Sequence, residues 1–208
     1  MRFSDRLIVQ IDAFIKSRFD AEVEHGPYPG DDHPESALSE RERRHVAGLM
    51  RVNHAGEVAA QGLYDGQGLV ARDERVRETL TRAAHEERTH LDWCRRRLDE
   101  LDASPSRLDA VWYAGSFAIG ALASVRSDAA NLGFVAETER QVVEHLEGHL
   151  RELPPQDTRT RAILEKMTAE EAHHGETALR EGGVRPRWPL RLAMRLMSRV
   201  MTRTAYRV

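Results

Sequence analysis

Apolar residues recur along most of this chain in steps of three and four, the period of a helix with one buried stripe. One stripe runs Val76, Leu80, Ala83, Glu87, His90, Cys94, Leu98 and Leu101, and another runs Leu164, Met167, Glu171, His174 and Ala178. Two more, Val46, Met50, Asn53, Glu57, Ala60, Tyr64 and Val135, Glu139, Val142, Leu146, Leu150, each carry a single glutamate where a core residue belongs. Four helices therefore bring carboxylate or imidazole onto otherwise apolar seams.

Punctuation places the elements. Ser39 followed by Glu42 is a capping-box pattern that starts a helix running to about Ala71. A second helix spans about Asp73 to Asp102, and the connection is so short that the two lie antiparallel. Ser104-Pro105 closes that pair. A third bundle helix, about Leu132 to Leu153, is broken by Pro154-Pro155, and the fourth, about Thr158 to Glu181, is stopped by Gly182-Gly183. Glu57 precedes Glu87 much as Glu139 precedes Glu171, so the halves read as a duplicated helical hairpin. The expected fold is all-α: one ferritin-like four-helix bundle, residues 39–181, within a single domain 1–208.

Three segments lie outside that bundle. Ser4 to Phe19 spaces Leu7, Ile8, Ile11, Phe14, Ile15 and Phe19 as an amphipathic helix within residues 1–19, and the Pro- and Gly-rich stretch 20–37 reads as a mobile connection. Ala110 to Val125 carries no charge but is shorter than the roughly 20 residues needed to span a bilayer. It is a buried crossover helix or a surface that dips into lipid, the former favoured. Residues 190–208 form a basic amphipathic helix, with Arg187, Arg191, Arg195, Arg199, Arg203 and Arg207 at every fourth position. Such a helix suits an anionic membrane surface, the alternative being packing on an acidic bundle.

Composition narrows the picture. The net charge of -3 gives no reason to expect nucleic acid as a partner. Cys94 is the sole cysteine, which excludes an internal disulfide and fits a reducing compartment. The N-terminus lacks the hydrophobic run of a secretory signal, so the expected location is peripheral, at the cytoplasmic face of the cell membrane.

Glu87 with His90 and Glu171 with His174 are each three residues apart, on one helix face. A buried glutamate is unfavourable unless paired or metal-bound, and four together repel one another. Two divalent cations balance four carboxylates, so the pattern asks for a dinuclear centre of the kind built in ferritin-like carboxylate bundles, with iron or manganese suited to the donors. Among neighbouring residues, His54 is either a partner of the centre or a structural histidine. His145 is placed for a supporting or substrate-facing role. Glu170 and His173 compete with Glu171 and His174, and Glu86 and Glu137 are expected to face solvent.

The stretch Arg51-Val52-Asn53-His54-Ala55-Gly56-Glu57, continuing to Tyr64-Asp65-Gly66-Gln67, resembles the signature of the demethoxyubiquinone hydroxylases, the Clk-1 family of membrane-associated di-iron monooxygenases in ubiquinone biosynthesis. The resemblance covers about Val46 to Glu181. It implies the ligand set Glu57, Glu87, His90, Glu139, Glu171 and His174, which the seams also select, with these residues forming the catalytic centre. It further implies two iron ions, O2 and a polyprenylated benzoquinol as substrate, and other proteins of ubiquinone biosynthesis as partners. No dinucleotide fingerprint is present, so electrons come from outside: NADH acting directly, a reductase, or the quinol itself. Eukaryotic members of the family carry a tyrosine after the histidine matching His145, where this chain has Leu146, so tyrosine-assisted electron delivery is not carried over. Two rivals share the motif: an iron-storage or peroxide-scavenging bundle, and a membrane-bound scaffold whose metal is only structural.

Overall fold

The computed structural model describes residues 27–208, which are helical with no strand among them. The helices are α1 (Glu40–Val70), α2 (Glu74–Glu100), α3 (Asp109–Ser124), α4 (Asp128–Glu152), α5 (Thr158–Arg180) and α6 (Trp188–Ala205). The expected helix from Ser4 to Phe19 lies outside the described residues.

Local chemistry explains the boundaries. At the start of α1, Ser39 N–H donates to Glu42 Oε2 (2.8 Å) while Glu42 N–H donates to Ser39 Oγ (3.3 Å), the reciprocal cap the sequence predicts. The α1–α2 link is held by Asp128, whose carboxylate accepts from the N–H groups of Arg72 (3.1 Å) and Asp73 (2.9 Å). Helix α4 begins at Asp128 rather than Leu132, because Ser127 caps it by accepting from Ala130 N–H (3.2 Å). After α5, Gly182 adopts φ 100, which only glycine reaches without strain, and the N–H of Gly183 returns to Ala178 O (3.0 Å).

α1/α2 and α4/α5 are antiparallel hairpins packed together. His45 Nε2 lies 3.2 Å from Glu152 O at one end, and Gln67 Nε2 donates to Asn131 O (3.2 Å) at the other. α1 and α4 therefore run antiparallel in a fixed register. One apolar layer joins Val46, Met50, Trp93, Leu98, Leu146, Leu164 and Met167. The other joins Tyr64, Val76, Leu80, Leu132, Val135 and Ala178. The four seam-borne glutamates and two histidines occupy the zone between them.

α3 crosses from one hairpin to the other against α1. Glycines allow the approach: a Cβ on Gly62, Gly66 or Gly120 would run into backbone of Tyr113, Phe117 or Leu63. The expectation of a buried crossover holds for one side only. Val111 (58 % exposed), Leu122 (73 %) and Val125 (57 %) stay open to solvent. α6 presents Trp188, Leu190, Leu192, Leu196 and Val200 outward, while the charge of its Arg191 helps hold the Glu137 carboxyl low. Its end is pinned where Tyr206 OH meets His45 Nδ1 (2.7 Å) and Arg51 donates to Tyr206 O (3.0 Å). No helix of the described residues is long and apolar enough to cross a membrane.

Residues 27–37, expected to belong to a mobile connection, are instead tied to the bundle. Tyr28 is buried in the core, donates to Glu100 (3.0 Å) and lies under the Arg96 guanidinium (4.0 Å). Arg97, with no exposed surface, donates to Thr160 (2.8 Å), Glu35 (2.6 Å), Glu100 (3.1 Å) and Asp157 (3.3 Å). The proline and glycine signal gave the backbone shape but hid this side-chain anchoring; residues 20–26 lie outside the described part.

Candidate metal centre

The seams deliver their polar residues to one point. Glu57, Glu87, His90 and Glu171 each offer a ligand atom, and these atoms lie within 4.8 Å of one another in full burial. His90 Nδ1 is 3.0 Å from Glu171 Oε1, 3.3 Å from Glu87 Oε2 and 3.9 Å from Glu57 Oε2. His174 Nδ1 is 3.3 Å from Glu87 Oε1 and 3.4 Å from Glu171 Oε2. Glu139 shares a hydrogen bond with Glu171 and accepts another from the Tyr64 hydroxyl. Glu57, Glu87, His90 and Glu171 thus share one cluster, which His174 joins through Glu87 and Glu171 and Glu139 joins through Glu171.

Their proton affinities show what the crowding does. Burial, then the charges of Glu87 and Glu171, push Glu57 well above the usual carboxylate range. Glu139 is raised in the same way, by burial and then by Glu171 and Glu87. Burial also works to raise Glu87, but hydrogen bonds from His174 and His90 outweigh it and hold that carboxyl low. Burial disfavours charge on His174, yet its bonds to Glu171 and Glu87 lift it to about 12. A cluster of carboxylates that must recruit protons and imidazolium to coexist could hold a cation in their place, and its oxygen and imidazole donors fit a transition metal.

Two residues expected to be marginal brace the histidines. Glu170 lies 2.8 Å from His90 Nε2, and Glu86 lies 2.6 Å from His174 Nε2. Each carboxylate reaches across to the other hairpin and leaves Nδ1 of its imidazole facing the cluster. Glu86 was expected to face solvent; it is half exposed but engaged, and the doubled acids Glu86-Glu87 and Glu170-Glu171 were the available signal. Glu137 corrects the same expectation outright, being fully buried and held by Arg140 (2.7 Å) and Gln141 (2.8 Å). His54 pairs with Asp109 (3.4 Å) at the start of α3, away from the ligand atoms, and His173 is exposed. Tyr64 stood on the seam without being recognised as a partner of Glu139.

A cavity of about 340 Å³ opens beside the cluster. Glu57, Glu139 and Glu171 form its floor, and Leu63, Trp112, Ile119, Phe134, Val142 and Leu146 form apolar walls. Met194, Met197 and Met201 of α6 line the side towards solvent. His145 also lines it, in edge contact with His149 (4.0 Å between centroids).

Fold and site together define a helical-bundle protein with a buried glutamate–histidine centre able to hold metal beside an apolar pocket. The family described as "Ubiquinone biosynthesis protein COQ7" matches residues 44–205. The chain belongs to that family. The match reaches through α6, so the arginine-striped tail falls inside the region of likeness rather than beyond it as the sequence suggested. Among its relatives, the 3-demethoxyubiquinol 3-hydroxylase of Azoarcus sp. (strain BH72) is 50% identical over 204 residues, covering 98% of this chain and 99% of its own length. That of Bordetella parapertussis is 55% identical over 204 residues (97% and 91%), and that of Ralstonia pickettii 51% over 215 (98% and 99%).

Proposed function

We propose that the chain is an O2-dependent di-iron monooxygenase that hydroxylates the benzoquinol ring of a polyprenylated demethoxyubiquinol at the cytoplasmic face of the cell membrane. One observation carries this reading: an apolar cavity ends on three glutamates of a buried carboxylate–histidine cluster. A storage site has no need of such a pocket. Relatives named 3-demethoxyubiquinol 3-hydroxylase, aligned over almost the whole chain, support the substrate class.

Glu57, Glu87, His90, Glu139, Glu171 and His174 would hold the two ions, four carboxylates matching two divalent charges. The bound pair supplies O2 activation, one oxygen atom entering the ring and the other leaving as water, with electrons from an external donor such as NADH or a reductase. The chain itself provides the rest. Tyr64 and Glu171 orient Glu139, while Glu86 and Glu170 hold the imidazoles by Nε2. Trp112, Phe134 and Leu146 exclude water from the ring, and the methionines of α6 offer an adaptable apolar mouth for the polyprenyl tail. The outward apolar residues of α3 and α6, together with the arginines of α6, suit an anionic bilayer from which such a substrate is drawn.

The test is Glu171→Ala in a strain that depends on this chain. Loss of bound iron and accumulation of the methoxy-deficient quinone are expected; full iron occupancy with normal turnover would refute the proposal.

A further inference from the structure

The cavity is apolar except at a few points, and most of its polar side chains already have partners. Thr138 donates to Phe134 O (3.1 Å), Gln141 to Glu137 (2.8 Å), and Glu139 accepts from Tyr64. Asn53 and His145 differ. Asn53 is 3 % exposed, and among the described residues its side chain makes only a weak hydrogen bond from Nδ2 to Met50 Sδ (3.7 Å) while Oδ1 has no partner. His145 Nε2 is likewise buried without a partner among the described residues. A buried polar atom left unsatisfied is unfavourable; of the three cavity-lining residues that carry one, Trp112 offers only a donor at Nε1, whereas Asn53 and His145 can each meet a hydroxyl, so these two mark where a polar ligand belongs.

Helix register places them opposite each other. α1 and α4 run antiparallel, with His45 beside Glu152 and Gln67 beside Asn131. Counting inward from both ends brings Asn53 level with His145, and Glu57 close to level with Glu139. Asn53 precedes Glu57 by one helical turn, about 5.4 Å along the axis, and His145 stands on the same side of Glu139. Two hydrogen-bonding groups thus flank the cavity above its carboxylate floor, Asn53 one turn from Glu57 and His145 about 9 Å along the axis from Glu139.

We propose that Asn53 and His145 grip the two para hydroxyls of the quinol ring, one each, and so set which ring edge faces Glu57, Glu139 and Glu171. This rests on the quinol-hydroxylase reading and specifies how that site orients its substrate. Asn53 offers a donor and an acceptor. Burial lowers the proton affinity of His145, so the neutral ring also offers one of each, matching a hydroxyl on either side. The tail then leaves along Met194, Met197 and Met201, away from the centre.

The experiment uses iron-loaded, full-length protein without O2 and follows tryptophan fluorescence, since Trp112 lines the cavity. The probes are a short-chain demethoxyquinol and its two mono-O-methyl ethers. The wild type is expected to prefer the free quinol by about tenfold or more, the range for an unmet buried polar group. Asn53→Leu should lose about tenfold in affinity for the quinol and tolerate one ether, while His145→Leu should tolerate the other. Iron content should stay at the wild-type level. Asn53→Ala, which adds no bulk, runs beside Asn53→Leu so that a misfolded variant does not decide the matter. Wild-type hydroxylation with unchanged quinol and ether affinities in the variants overturns the hydrogen-bond assignment alone. Failure of the wild type to bind free quinol overturns the enzymatic reading beneath it.

Discussion

Replacing Gly66 with alanine sets two effects of opposite sign against each other. Alanine is favoured over glycine in a helix interior by about 1 kcal/mol, so on propensity the change stabilises α1. The structure opposes it. A Cβ at Gly66 would lie inside contact distance of Phe117 O and 2.9 Å from Ala121 N, both backbone atoms of α3. Carbon contacts settle near 3.5–4.0 Å, so α3 has to retreat by about 1 Å, and no flexible side chain can absorb the shift. Overpacking of this kind costs about 1–3 kcal/mol, with rigid backbone on both sides at the upper end. The net loss is about 1–2 kcal/mol, or roughly 2–8 °C in melting temperature for a chain of this size.

Gly68 is the internal control, because a Cβ there meets nothing within 4 Å. Gly68→Ala keeps the propensity gain and should raise the melting temperature by roughly 2–4 °C. Function separates the two further. Trp112, Gly115, Ser116 and Ile119 of α3 wall the cavity, so its withdrawal misplaces the ring, and a displacement of about 1 Å can cost up to about 100-fold in kcat/KM. Circular-dichroism melts and steady-state hydroxylation of both variants check this. Gly66→Ala melting as high as Gly68→Ala with unchanged kcat/KM would refute the close-contact account of α3.

Arg97→Met strands the buried Asp157 without a cation, while Glu100 keeps Arg159 and Arg96, and losing one partner of a buried ion pair costs about 3–5 kcal/mol; a urea midpoint equal to the wild type would show that the strap at 27–37 is not held this way. Burial lifts the Asp65 carboxyl to about 6 despite the hydrogen bond from Tyr113 and the charge of Arg88. The folded state therefore holds that proton more tightly than the unfolded chain, and stability falls as pH rises from about 4 to about 6. Asp65→Asn should raise stability by up to about 3 kcal/mol at pH 7.5 and by nothing near pH 4, read from melts across that range. Changing Arg195, Arg199 and Arg203 together to glutamine should weaken binding to anionic vesicles by about 3 kcal/mol, roughly 150-fold, in sedimentation assays; an unchanged partition would remove α6 as the lipid-facing element.

Much of this was legible because burial writes itself into spacing. Glu57 and Glu139 declared themselves by standing at seam positions where leucine would serve, and the same seams led to His90 and His174. What escaped the sequence depended on contacts between helices. Nothing local marks Arg97 as buried, since its partners Glu35 and Asp157 come from distant segments. Glu137 is the exception, since its partners Arg140 and Gln141 stand on its own helix and only its full burial was hidden. The paired roles of Glu86 and Glu170 need both hairpins in place, although the acid doublets hinted at them. α3 was ambiguous for a physical reason: its close packing relies on glycines of α1, while its other side remains apolar and open.

The duplicated hairpins also divide the labour of the centre. Glu87, His90 and His174 are absent from the cavity lining, whereas Glu57, Glu139 and Glu171 form it. The imidazoles, each fixed through Nε2 by a carboxylate of the opposite hairpin, stand behind that lining, where they would serve a metal as rigid donors. The face open to substrate is made of glutamates, whose two oxygens can change how they bind a metal as its charge changes. Neither hairpin can make this arrangement alone, because each histidine takes its brace from the other. Formation of the site and docking of the two halves are therefore one event, and the cavity between α1 and α4 exists only once that docking has set Asn53 level with His145.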